Sequence, residues 1–214
     1  MKRYWLFSSI IALLTFGTAF ADSLPINQLP MYGEREKTVE MKNADATFIA
    51  SIEKQGLSRQ EGAKQVVQSG WSYWAKRDLA TAMSRFNQAW LLDPENGNAY
   101  HGFALVVSVR GGTPSEVEHL FQLATSKPNV DPVAFVDYGR FLWTQKQLEK
   151  SLAQLNKALQ LSPTARNARS NISFVHYLKG DAASACNWAK DAQKNGDELE
   201  KGFLEDMCRR AGKS

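Results

Sequence analysis

Histidine and cysteine are nearly missing from this chain, which has three of the first and two of the second in 214 residues. His101, His119 and His176 show no metal-ligand spacing with each other or with Cys186 and Cys208, so no metal site is expected. The same scarcity leaves no nucleophile–histidine–carboxylate set suggested by spacing, and no cofactor is expected. A glycine-rich phosphate loop is lacking as well, because Gly111-Gly112 reads as a turn between helices. Nor is there a run of like charges. The formal net charge is +4, and two of the basic residues, Lys2 and Arg3, belong to a segment read below as removed. So weak a surplus gives no electrostatic footprint for nucleic acid. Beyond residue 21 no stretch is long and apolar enough to span a membrane.

What is present begins with a leader. Lys2 and Arg3 are its positive end, Leu6 to Phe16 its apolar stretch, and Ala19-Phe20-Ala21 its small-x-small cleavage site. Cleavage is expected after Ala21, with an uncleaved membrane anchor as the alternative. No cysteine near residue 21 would carry a lipid, so the mature chain is expected in the periplasm without an anchor. An exported chain meets oxidising conditions, which makes Cys186 and Cys208 a disulfide candidate. Two buried free thiols are the other reading.

Residues 22–41 hold Pro25, Pro30 and Gly33 among polar neighbours and predict an extended lead-in. Phe48, Ile49 and Ile52 stand at helical spacing within a helical extension over 42–62. Ser58 and Glu61 form a capping box ahead of a long apolar-periodic stretch. From residue 63 the chain repeats itself. Gly70, Ala82, Phe86, Ala89 and Pro94 recur at the same intervals as Gly139, Ser151, Leu155, Ala158 and Pro163. Between them lies a degenerate copy with Tyr100, Phe103, Ala104, Val117, Phe121 and Ala124, lengthened by one residue at the Gly111–Pro114 turn. A weaker copy follows with Ile172, Ser173, Ala185, Ala189 and Ala192. The four copies span 63–96, 97–131, 132–165 and 166–196. Leu199, Phe203, Leu204 and Met207 then predict a terminal capping helix within 197–214.

This pattern resembles the tetratricopeptide repeat (TPR), most specifically in the first and third copies. The resemblance implies an all-α, right-handed superhelical solenoid of about four helix-turn-helix repeats, with an N-terminal helical extension and a C-terminal capping helix. It also implies a concave groove lined by the first helix of every repeat. On that pattern Trp71, Trp74, Asn98, His101, Leu105, Arg140, Trp143, Phe174 and Tyr177 face the groove. Large aromatics and arginine are the side chains that most often anchor protein interfaces. The function expected is therefore a periplasmic scaffold that binds a peptide or helix of another envelope protein, with Arg140, His101 and Asn98 fixing polar groups. The rival reading is an apolar small-molecule or lipid-binding module in the same groove. Either the helix around Phe48–Ile52 or the lead-in at Leu24–Tyr32 would instead cover the aromatics by folding into the groove. Catalysis is not expected, and would require His101, Arg140 and a carboxylate to converge.

Overall fold

Polar side chains set where most helices begin. Thr38 accepts the Met41 N–H at the start of α1 (Val39–Lys54). The predicted capping box then opens α2 (Arg59–Ala75): Ser58 accepts the Glu61 N–H, and the Glu61 carboxylate takes the Ser58 N–H at 2.8 Å. Asp78, Asn96, Thr113 and Asp131 accept main-chain N–H groups at the starts of α3 (Leu79–Leu92), α4 (Gly97–Val109), α5 (Pro114–Ser126) and α6 (Pro132–Thr144). Then come α7 (Leu148–Leu161), α8 (Ala168–Leu178), α9 (Ala182–Lys194), which Asp181 caps, and α10 (Phe203–Ala211). These ten helices belong to a computed structural model that describes residues 24–212, and no strand occurs among the described residues. The leader expected at 1–21 lies outside them.

The helices pack as antiparallel neighbours α2/α3, α4/α5, α6/α7 and α8/α9, each pair stacked on the next. Phe86 shows why small residues recur. Its ring is fully buried, and a Cβ added at Gly70 or Gly102 would lie 2.6 or 2.5 Å from it. Glycine on α2 and α4 therefore lets one aromatic of α3 fill the space among three helices. In later pairs a serine makes the close approach. Ser151 donates to the Gly139 carbonyl at 2.7 Å, and Ser173 donates to the Ala185 carbonyl at 2.7 Å. The two serines sit on opposite helices of their repeats, yet each satisfies a hydroxyl that would otherwise be buried unpaired.

At the far end, α8 has no cap of its own. Asp197 supplies one from a distance, accepting the N–H groups of Asn167, Arg169 and Ser170 at 2.8, 3.1 and 3.2 Å. Cys186 on α9 and Cys208 on α10 stand at disulfide-bonding distance, with Cα atoms 4.7 Å apart, beside the buried Met207. A bond there closes a loop of sequence separation 22. Reduction is expected to lower stability by about 3 kcal/mol, loosening α10 first. Melting with and without a thiol reductant checks this; superposable curves, or labelling of the unreduced protein by a thiol-blocking reagent, would show that no such bond contributes.

The lead-in departs from its expected extended form. It makes two tight turns, Ile26–Gln28 and Pro30–Glu34, the second with positive φ at Met31, Tyr32, Gly33 and Glu34. It is strapped across the outer face built by the second helices, not in the groove. Asn87 on α3 is fully buried beneath it. The Asn87 amide donates to the carbonyls of Asn27 and Leu29 at 3.0 and 2.8 Å, and its oxygen accepts the Tyr32 N–H at 3.1 Å. Arg110 donates to the Gln28 carbonyl at 2.9 Å and to the Gln28 side chain at 2.8 Å. Burial holds the Arg110 guanidinium below its ordinary pKa. The Tyr32 ring packs on Trp90, and burial first, then the Asp45 charge, raise its phenol above the usual range. The helix α1 does not enter the groove either. Ile52 and its neighbours pack on Ala63 and Leu92, at the first edge of the stack.

Candidate functional site: the concave groove

With the strap behind and α1 at the edge, neither of these segments lies across the face made by α2, α4, α6 and α8 among the described residues. Five of the nine residues expected there line two recesses. The first, about 260 Å³, is lined by Trp71, Asn98 and His101 together with Lys64, Gln68 and Val133. The second, about 200 Å³, is lined by Trp143 and Phe174 with Asn171, Leu199 and Phe203. Trp143 meets Phe174 edge-on at 4.9 Å between ring centroids, and Tyr177 joins Phe174 and Phe203 at 5.7 and 6.0 Å. Arg140 is exposed between the recesses, 3.7 Å from Asp137. Leu105 is half-buried against the main core. Trp74 stands apart from both recesses, in a third hollow with Leu79 and Val109.

His101 departs most from its expected role. It is 2% exposed, with its ring 4.9 Å from Trp71 and 6.2 Å from Phe121. Its Nε2 lies 2.9 Å from the Asp137 carboxylate, joining α4 to α6. The side chain serves the stacking of adjacent repeats and presents no polar group to a partner. Asn98 is likewise engaged, its carbonyl oxygen accepting the Asp131 N–H at 3.0 Å at the start of α6. Asn167, just before α8, has a left-handed backbone and gives its N–H to Asp197. Arg140 remains the accessible cation of the expected set.

His101, Asp137 and Arg140 do converge, the arrangement that a catalytic reading required. The remaining ring nitrogen, Nδ1, is buried without a hydrogen-bond partner. A general base needs a proton within reach of its free nitrogen, and this one is closed off from solvent. The triplet acts as an interhelical tie. Among the described residues no cluster of histidine, cysteine and carboxylates has the make-up of a metal site.

Paired helices with a small residue facing an aromatic, stacked so that first helices line one face, define one architecture. The fold is that of the tetratricopeptide-repeat proteins. No family model matches the chain, and no curated protein does. Solved structures match it along most of its length. The chain is similar to PilF of Pseudomonas aeruginosa, with a TM-score of 0.66 and 19% identity over 73% of this chain and 72% of that one. It is similar to PilW, described as a widely conserved type IV pilus biogenesis factor, with a TM-score of 0.57 and 17% identity over 83% and 89%. It is also similar to YrrB, a TPR protein with an unusual peptide-binding site, with a TM-score of 0.52 and 20% identity over 69% and 74%. At these identities the likeness is one of fold.

Sequence reasoning missed the roles of four residues, three at the groove and one behind it. Asp137 stands within a helix already read as first-helix, but its pairing with His101 joins residues 36 positions apart. Phe203 and Leu199 were read only as cap residues, although their apolar spacing also marks a face that continues the groove. Asn87, which keeps the strap out of the groove, carries no local signal.

Proposed function

We propose that this chain is a periplasmic scaffold that binds a peptide or helix of another envelope protein along its concave groove, without catalysis of its own. The observation that carries this reading is the set of partly buried aromatics on the first helices, Trp71, Trp143, Phe174 and Tyr177, while the chain's own spare segment is fastened to the opposite face. Such side chains bury large area at small entropic cost and anchor interfaces. The leader at 1–21 supports the periplasmic address, and the fold shared with a peptide-binding TPR protein and a pilus biogenesis factor supports a polypeptide partner. The recesses favour this over a small apolar ligand. At about 200 and 260 Å³ they are open and below the roughly 300–1,000 Å³ that enclose a drug-sized molecule.

The test is affinity capture from the periplasm, with wild type beside Trp143→Ala/Tyr177→Ala. Truncating two anchors is expected to weaken retention of the partner about thirtyfold or more, about 2 kcal/mol or above. Circular dichroism identical to wild type would show that the helices persist. Equal retention by both proteins would end the groove proposal and leave the fold intact.

A further inference from the structure

We propose that the recess at the C-terminal end of the groove is a subsite for one lysine or arginine side chain of the bound polypeptide. This rests on the groove reading above and adds the chemistry that the groove selects. The walls are Trp143, Phe174, Leu199 and Phe203, with the carboxylate-bearing Glu198 and Glu200 at the same recess. Trp143 and Phe174 meet edge-to-face, and Phe203 lies 6.2 Å from Phe174, tilted by 39°. An edge-to-face pair leaves π faces uncovered by a partner ring, and a π face attracts a cation. The cluster already holds one: the Arg210 guanidinium lies 5.7 Å from the Tyr177 ring centre.

A purely apolar side chain would fill the walls and return nothing to the acidic residues at the same recess, Glu198 and Glu200. A lysine or arginine matches both parts, with its aliphatic stem along the rings and its charge against the acids. Glu198 is shared with Arg166 at 3.0 Å, a pair that is mostly exposed and loosely held, so Glu200 carries the larger part of the recognition.

The recess is built before any ligand arrives. Asp197 is fastened by three N–H groups of the first turn of α8, and this fixes the 198–200 segment beside Trp143 and Phe174. The Cys186–Cys208 pair holds α10, and with it Phe203, against α9. Preorganisation of this kind removes part of the ordering cost of binding. The terminal helix is then a wall of the binding site as well as an end cap.

The experiment is a titration of the mature, oxidised, nitrogen-15-labelled chain, following the indole N–H of Trp143, which a Trp143→Phe variant identifies. The probes are Nα-acetyl-lysine methylamide and its norleucine counterpart, which keeps the stem and lacks the charge. A saturable shift is expected with the lysine probe, about tenfold tighter than with norleucine. Glu200→Gln is expected to weaken it several-fold, as is raising the salt, because the charges sit near water. Equal affinity for both probes would make the recess merely apolar, and absence of a saturable shift would remove the site; either overturns the proposal. If the probe fails while Trp143→Ala/Tyr177→Ala still loses its partner on capture, the groove reading stands and the cationic subsite falls. If the lysine probe binds while capture is unchanged, the groove reading falls, and the assignment to a bound polypeptide falls with it.

Discussion

Asn87→Leu is expected to free the strap from the outer face while the repeats stay folded. In the native protein one buried amide satisfies three main-chain groups of residues 27–32, using both donors and its acceptor. Leucine has similar bulk and none of these bonds. The Tyr32 N–H and the Leu29 carbonyl also bond each other at 3.2 Å, so the Asn27 carbonyl is the group left without a partner, at a cost of roughly 1–3 kcal/mol, and the segment lifts off to find water. The strap has little reserve against this. Met31, Tyr32 and Glu34 hold positive φ, a conformation that costs L-residues other than glycine on the order of 1 kcal/mol each. Undocking also exposes Tyr32 and breaks its packing on Trp90. The expected loss is about 3 kcal/mol, a fall in Tm on the order of 10 °C for a chain of this size. Amide exchange over residues 27–35 should rise well above that of α3. Protection of the Tyr32 amide equal to wild type would show that Asn87 does not hold the strap. Asn87→Asp should do no better than leucine, since it sets a carboxylate against the two carbonyls.

Phe86→Ala is expected to cost more, about 3–5 kcal/mol, and to change how the molecule melts. The ring is shared by α2, α3 and α4, and it meets Trp71 at 4.9 Å and Phe103 at 6.5 Å. It therefore belongs to the interface between the first two repeats as much as to either one. A solenoid's stability is close to a sum of repeat and neighbour-interface terms. Removing this interface side chain should uncouple the first repeat, with α1, from the rest. Urea unfolding is expected to split into two transitions with a reduced slope for the first. A single transition displaced by less than 1 kcal/mol would contradict the shared role. Gly102→Ala attacks the same joint from the other side, because its Cβ would meet the Phe86 ring at 2.5 Å. The expected cost there is about 1–3 kcal/mol.

The repeats were legible because their signal is local. Gly70 and Phe86 lie within one helical hairpin, and the capping box needs only residues 58–61. The groove was legible in part. Trp143, Phe174 and Tyr177 do gather, because helical spacing puts them on the first-helix faces and stacking brings those faces together. His101 had the right helix and the wrong role. Spacing gives the direction of its side chain, but not that Trp71 and Phe121 close over it or that Asp137 meets it from the next repeat. Trp74 likewise has groove spacing and turns to a separate hollow beside Leu79.

The lead-in shows where local reading ends. Its prolines and glycine announce turns and say nothing about which face receives them. That choice is made by Asn87 and Arg110, which lie 55 and 82 positions from their strap partners Tyr32 and Gln28. The periodicity of small and aromatic residues by itself determined that helices pair and stack, because close approach and cavity filling are settled between near neighbours in the chain. The tertiary structure alone decided which polar groups are consumed inside the stack, which face the strap covers and which aromatics remain open to a partner. Those outcomes depend on hydrogen bonds and burial between residues that become neighbours only when the repeats coil together.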